Sequence, residues 1–348
     1  MITAEAGSAA GGLYLHAASQ HVRRRLSAWL AALGLSHERR PEGPLVTADA
    51  FGTLPALLDM FSPTERADLF AAPCRTDGSP DAWQMAPLER WVQRLDSGWF
   101  FGASERLRFH LQPIVALRGG EVYGYEALVR AEGEGGAGLI GAGPLLQAAC
   151  THGQARAFDA QARRGAIRQI YPQLAPGQVL FINFAPGVVY NPDVCLQTTF
   201  QTCREVGADF SRLLFEVTES EAFPDLGLLR RILDRYRAEG AQVALDDLGA
   251  GHTSLTYLAE LRPDVVKLDR ALISGLHGSD RRTPLVLALV EYAHDLGIRV
   301  VAEGIETETE LRLVRELGAD YAQGYFLGRP APLPAGVTPD AARVWEKG

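Results

Sequence analysis

From about residue 107 onward the chain alternates between short apolar runs and longer stretches of helical spacing, and this alternation decides the fold class. Strand candidates are 108–117, 122–130, 178–183, 213–218, 242–246, 265–268, 299–302 and 321–322. Helical stretches at 156–170, 193–206, 226–238, 284–296 and 308–317 lie between most of them. Gly207, Gly240, Gly297 and Gly318 stand where four helices should stop. Eight strands with intervening helices over roughly 230 residues predict an α/β fold, a (β/α)8 TIM-like barrel with its site at the C-terminal ends of the strands. Only a short turn around Gly119-Gly120 separates the first two strands. They read as a hairpin, so one barrel strand should be antiparallel. The Gly-rich stretch 131–143 reads as a loop.

The first hundred residues follow another pattern. A short strand is expected at 12–16 and a helix at 19–33, with Val22, Leu26, Leu30 and Leu33 on one face. Further helical stretches run through 54–61 and 88–95, and Ser62-Pro63-Thr64-Glu65 has the form of a cap and first turn. The expected organisation is a small α-rich or α/β module over 1–100, regulatory or dimerising, ending in a linker helix, followed by the barrel over 101–348.

Bulk properties exclude several classes. The net charge of −8 argues against a broad basic face for DNA. Cys74, Cys150, Cys195 and Cys203 form no CxxC or Cys/His spacing, so buried structural thiols are expected rather than a disulfide framework or a zinc site. No run reaches the length of a membrane span and the start lacks a signal pattern, so no membrane partner and a cytoplasmic location are expected.

Acidic or amide residues recur at or near the ends of the apolar strands: Glu126, Asn183, Glu216, Asp246-Asp247 and Glu303. A carboxylate there is costly unless a cation or donor compensates it. Barrel ends have no stability reason to gather so much negative charge. Such a set offers hard oxygen ligands and suits Mg²⁺ or Mn²⁺ rather than Zn²⁺. Adjacent aspartates can serve two ions, and paired ions stabilise both the attacking and leaving oxygens of a phosphoryl displacement. Lys267, at the end of the sixth strand, is either a charge balancer or a group that orients or deprotonates the attacking water. Gln323 completes the ring at the eighth strand.

These residues carry a resemblance. Glu126-Ala127-Leu128-Val129-Arg130 resembles the signature of the EAL family of cyclic di-GMP phosphodiesterases. The likeness extends through Gln112-Pro113-Ile114, Asn183, Glu216-Val217-Thr218-Glu219, the Asp246–Gly251 run, Lys267-Leu268-Asp269, Ala302–Glu306 and Gln323-Gly324-Tyr325, over roughly 105–334. It implies a metal-dependent hydrolase that opens cyclic di-GMP to linear pGpG with two ions. By that resemblance Glu126, Asn183, Glu216 and Asp246 would hold the first ion, and Asp246 with Asp247 the second. Lys267 and Glu303 would activate the water. Arg130 would grip a substrate phosphate, Gln112 would line the guanine side, Asp269 would stay close by, and Gln323 would hold metal-bound water or substrate.

The resemblance also gives Glu219 a regulatory role. It would steady the loop after the paired aspartates, where Gly249, Thr253 and Ser254 lie, and that loop would link the site to a homodimer interface on the barrel. Departures are mild. Leu248 replaces a Phe, His252 stands where an aromatic is common, and Ala185 stands where a Ser is usual. The alternative from another class is a catalytically silent cyclic di-GMP receptor, although receptors of this kind typically lack parts of the metal set.

Overall fold

The computed structural model describes residues 12–41, 43–133, 138–217, 225–249 and 255–346. The chain divides into two compact units, one formed by 1–105 with 133–136 and 143–155, the other by the remainder.

In the first unit five antiparallel strands, β1 (Leu13–Ala17), β2 (His37–Arg40), β3 (Gly43–Val46), β4 (Leu69–Pro73) and β5 (Ala86–Pro87), lie in the order β2-β3-β1-β4-β5. Alternation puts Leu13, Leu15 and Ala17 on one face, where they join Val22, Leu26 and Leu30 of the helix Gln20–Ala32. Ser19 caps that helix by accepting from Val22 N at 3.2 Å. The Ser62/Glu65 capping box forms as expected. Sequence periodicity recovers β1 and the helices but misses β2 to β5. The sheet makes this unit the α/β form of the two alternatives. Also within it, His152 stacks on Phe100 at 5.8 Å and bonds the Ser97 carbonyl and hydroxyl at 3.1 and 3.0 Å.

The second unit is the barrel. Its strands are β6 (Leu107–Ala116), β7 (Val122–Glu132), β9 (Val179–Phe184), β10 (Leu213–Val217), β11 (Gln242–Leu248), β12 (Val265–Leu268), β13 (Arg299–Ala302) and β14 (Tyr321–Gln323). A two-residue strand, β8 (Leu139–Ile140), adds to the edge of β7. β6 and β7 form the predicted hairpin, with Gln112 opposite Glu126. From β7 to β14 the pairings are parallel. β14 closes on β6 antiparallel, with Gln323 opposite Ile114, so β6 is the reversed strand. The strand and helix expectations for this unit agree with the structure to within a few residues.

An apolar layer fills the barrel: Ile114, Val179, Phe181, Leu214, Ala244, Val265, Val301 and Tyr321. Gly124 is required in this wall, since a Cβ there would sit 2.2 Å from the Val179 carbonyl oxygen. Towards the N-terminal ends of the parallel strands, Arg299 Nη1 donates to the hydroxyls of Tyr123 and Tyr321, both at 3.0 Å, and Nη2 donates to Gln242 Oε1. The two tyrosine rings stack at 4.2 Å.

Candidate active site

Side chains on a strand alternate faces, so the residue two beyond a core residue points the same way. Applied to the apolar layer, the rule generates the site. Phe181 leads to Asn183, Leu214 to Glu216, Ala244 to Asp246, Val265 to Lys267, Val301 to Glu303 and Tyr321 to Gln323. On β7 Gly124 leads to Glu126, and on the reversed β6 Ile114 leads back to Gln112. All eight barrel strands thus contribute one polar residue to the next layer.

Asp247 breaks the alternation. The β11–β12 pairing shifts between Leu245 and Leu248, which inserts one extra residue in β11. Asp247 takes φ of 60°, a left-handed conformation uncommon outside glycine. A bulge re-aims side chains at a strand end, and here it brings carboxylate oxygens of Asp246, Asp247 and Glu303 within 4.8 Å of one another.

Lys267 is 1% exposed and sits among four carboxylates. Its Nζ lies 2.6 Å from Glu303 Oε1, 3.1 Å from Glu216 Oε1, 3.3 Å from Asp246 Oδ1 and 3.8 Å from Glu126 Oε2. Burial works against its charge, yet the ring of carboxylates outweighs that and holds its pKa well above the usual range. One ammonium does not balance four acids. Burial pushes Glu216 well above the carboxylate range, raises Asp246, and lifts Glu303 to about 8. Glu126 goes the other way. Burial raises it, but Lys267, Gln323, Asn183 and Arg130 together bring it below its ordinary value. Gln323 Nε2 donates to Glu126 Oε2 at 2.7 Å and Asn183 Nδ2 to Glu126 Oε1 at 2.6 Å.

The residues present fit divalent cations. Among the described residues, Glu216 Oε2 and Gln323 Oε1 are buried and accept no hydrogen bond, and Glu216 Oε1 has only the ion pair with Lys267 at 3.1 Å. A buried acceptor without a donor is costly, and the set is made of hard oxygen donors. Glu126, Asn183, Glu216, Asp246, Asp247 and Glu303 are the side chains that could supply them.

The other predicted residues stand outside the carboxylate cluster. Arg130 continues the Glu126 face of β7, and its Nη1 donates to the Val129 carbonyl at 2.8 Å. Gln112 is buried and donates to the Gly328 carbonyl at 3.3 Å. Asp269 caps the turn Arg270–Ile273 by accepting from Ala271 N at 2.7 Å, and is not among the clustered carboxylates. Gly249, at φ of 107°, leaves β11. Glu219, His252, Thr253 and Ser254 lie outside the described residues.

A cleft of about 210 Å³ opens over Glu126, Glu303 and Gln323. Arg270, Glu306 and Tyr325 also line it, and none was singled out from the sequence as a site residue. Arg270 Nη2 pairs with Glu306 Oε1 at 2.8 Å. Gly304, at φ of 71°, lets Arg270 lie across the strand ends, for a Cβ there would sit 2.4 Å from Arg270 Cγ. The signal available was position, since both charged residues lie within three residues of Lys267 or Glu303.

Comparison with known proteins agrees with this geometry. The sequence model of the EAL domain family matches residues 99–330. An uncharacterized protein of Azorhizobium caulinodans is 35% identical over 233 residues, 65% of this chain and 31% of that protein. Cyclic di-GMP phosphodiesterase NbdA of Pseudomonas aeruginosa is 31% identical over 234 residues, 66% of this chain and 30% of its own. The chain therefore spans about a third of the length of these curated relatives. Among solved structures, a standalone versatile EAL protein from Vibrio cholerae O395 in its c-di-GMP bound form is 29% identical. It superposes with a TM-score of 0.61 over 68% of this chain and 97% of that one.

Proposed function

Since the chain belongs to the EAL domain family, we propose that it hydrolyses cyclic di-GMP to linear pGpG with two Mg²⁺ or Mn²⁺ ions. The observation that carries this reading is the polar layer itself: six oxygen donors, one lysine and two glutamines converge at one barrel end, with two acceptors left without donors. Relatives that share this domain are named cyclic di-GMP phosphodiesterases.

In this reading Glu126, Asn183, Glu216 and Asp246 would hold the first ion, and Asp246 with Asp247 the second. The ions would supply Lewis acidity at the phosphate and stabilise charge on the attacking and leaving oxygens. The chain's own residues orient and move protons. Glu303, whose carboxylate oxygens cluster with those of Asp246 and Asp247, would take the proton of the attacking water. Lys267 Nζ, 2.6 Å from Glu303 Oε1, holds that oxygen in place and offsets the charge of the phosphorane-like transition state. The bond from phosphorus to the ribose oxygen breaks as the water oxygen bonds to phosphorus, and the leaving oxygen gains a proton. Arg130 would grip a phosphate oxygen with its planar fork. Gln112 would line the guanine side, Asp269 would lie close by, and Gln323 would face substrate or its bound water.

We further infer that residues 1–100 act as a regulatory or dimerisation module ending in a linker helix, supported by that unit's own sheet and core. The remaining chain would be the catalytic barrel, pairing as a homodimer through the barrel, with Glu219, Gly249, Thr253 and Ser254 in the coupling loop. No helix among the described residues is long and apolar enough to cross a membrane. The test is incubation of purified protein with cyclic di-GMP in Mn²⁺, Mg²⁺ or EDTA. Metal-dependent pGpG is expected. Intact cyclic di-GMP under every metal condition would sink the reading.

A further inference from the structure

We propose that Asp159 is a positioning residue for the end of β9, where it fixes Asn183 through the backbone amide of Ala185. This rests on the reading of Asn183 as a metal ligand.

Asp159 and Arg163 lie one turn apart on the helix Ala155–Ile170, outside the barrel wall. An acid and an arginine four residues apart ordinarily pair in solvent. Here both are buried, at 6% and 2% exposure. Arg163 Nη2 lies 2.7 Å from Asp159 Oδ2, and its Nε donates to the same oxygen at 3.1 Å. Its Nη1 donates to Thr199 Oγ1 at 3.1 Å and to the Tyr236 hydroxyl at 3.0 Å. The guanidinium thus joins this helix to the helices Gln197–Glu205 and Leu226–Ala238. The Tyr236 ring stacks on Phe215 of β10 at 3.9 Å and meets Phe184 of β9 edge-on at 5.3 Å.

The remaining oxygen of Asp159 turns toward the strand. The β9–β10 ladder ends at Phe184 opposite Val217. The next amide, Ala185 N, donates to Asp159 Oδ1 at 2.9 Å. Two residues back is Asn183, whose side chain reaches Glu126 in the polar layer. A buried ion pair gains little stability over apolar residues of the same volume. What an apolar pair could not do is accept the Ala185 amide at the point where the sheet stops supplying acceptors. Arg163 aims the carboxylate, and the carboxylate sets where β9 ends.

The experiment separates holding the fold from positioning the strand end. Equilibrium Mn²⁺ titration and thermal unfolding are compared for the full chain, for Asp159→Asn, and for the double variant Asp159→Leu/Arg163→Met. The double variant replaces the ion pair by apolar bulk but takes a partner from the Ala185 amide, Thr199 and Tyr236, so it should melt lower, as Asp159→Asn does, and unlike Asp159→Asn it should bind Mn²⁺ about tenfold or more weakly, the usual loss when a residue behind a metal ligand is removed. Asp159→Asn keeps an oxygen for the Ala185 amide but leaves Arg163 unpaired, so it should melt lower and keep wild-type Mn²⁺ affinity. Wild-type affinity in a folded double variant overturns the proposal. If the double variant does not fold, Asp159→Glu, which keeps the charge but displaces the acceptor, must weaken Mn²⁺ binding or the proposal falls. A wild-type chain that binds no Mn²⁺ would instead overturn the metal assignment of Asn183, and this inference with it.

Discussion

Lys267 Nζ, on β12, lies 2.6 Å from Glu303 Oε1, just past the end of β13. The pair joins neighbouring strands at the layer where the barrel core turns polar, and the same ammonium reaches Glu216, Asp246 and Glu126. Removing one partner of a buried charge cluster leaves the others uncompensated.

Lys267→Met should therefore destabilise the protein in EDTA by about 3 kcal/mol or more, with part of the loss recovered in Mn²⁺ as the cation takes over the charge balance. Urea unfolding with and without Mn²⁺ tests this. Equal stability of variant and wild type in EDTA would refute it.

The raised carboxyl of Glu303 predicts a pH dependence of the metal-free fold. Burial holds it at about 8, above the value near 4.5 of an unfolded glutamate. Between those values the folded state carries the extra proton, so the group's contribution is full below about 4.5 and fades as pH rises through about 8. Stability in EDTA should fall over that window, and Glu303→Gln should flatten the fall. Unfolding midpoints at several pH values across the window would reveal it. A variant with the wild-type slope would show that another group is responsible.

Glu126→Ala and Asp246→Ala should each reduce cyclic di-GMP turnover below detection and weaken Mn²⁺ binding while leaving the barrel folded. The check is pGpG formation alongside Mn²⁺ titration and circular dichroism. Turnover retained in either variant would remove that residue from the metal set.

Gly124→Ala should destabilise the seam between β7 and β9, since its Cβ would meet the Val179 carbonyl oxygen at 2.2 Å. Overpacking of this kind costs about 1–3 kcal/mol. A melting temperature equal to the wild type would mean that the two strands separate without penalty.

Much of the barrel was legible because its strands are short apolar runs and its helices end at glycines. The candidate site was legible because most of its residues lie two positions beyond a core residue, as Val301 stands to Glu303 and Ala244 to Asp246. Asp247 is legible from its adjacency to Asp246 and from the family resemblance; the extra residue and left-handed backbone that bring it to the cluster depend on pairing with β12, which no local pattern encodes. His37–Arg40 could not be read as a strand because all four residues are polar. Asp159 and Arg163 stand at i,i+4 spacing, but no local pattern encodes their burial between their own helix and two others.

The arginine that donates to the hydroxyls of both Tyr123 and Tyr321 has a consequence for how such a chain can vary. Arg299 and Glu303 belong to one short stretch, four residues apart, yet one stoppers the barrel floor and the other stands at its mouth. Tyr321 and Gln323 repeat the division on the adjacent strand. The packed apolar layer separates the two ends of the barrel. Change at the floor acts through folding alone, whereas change at the mouth acts on folding and chemistry together, because Lys267 and Glu303 carry both, so the two ends are constrained unequally.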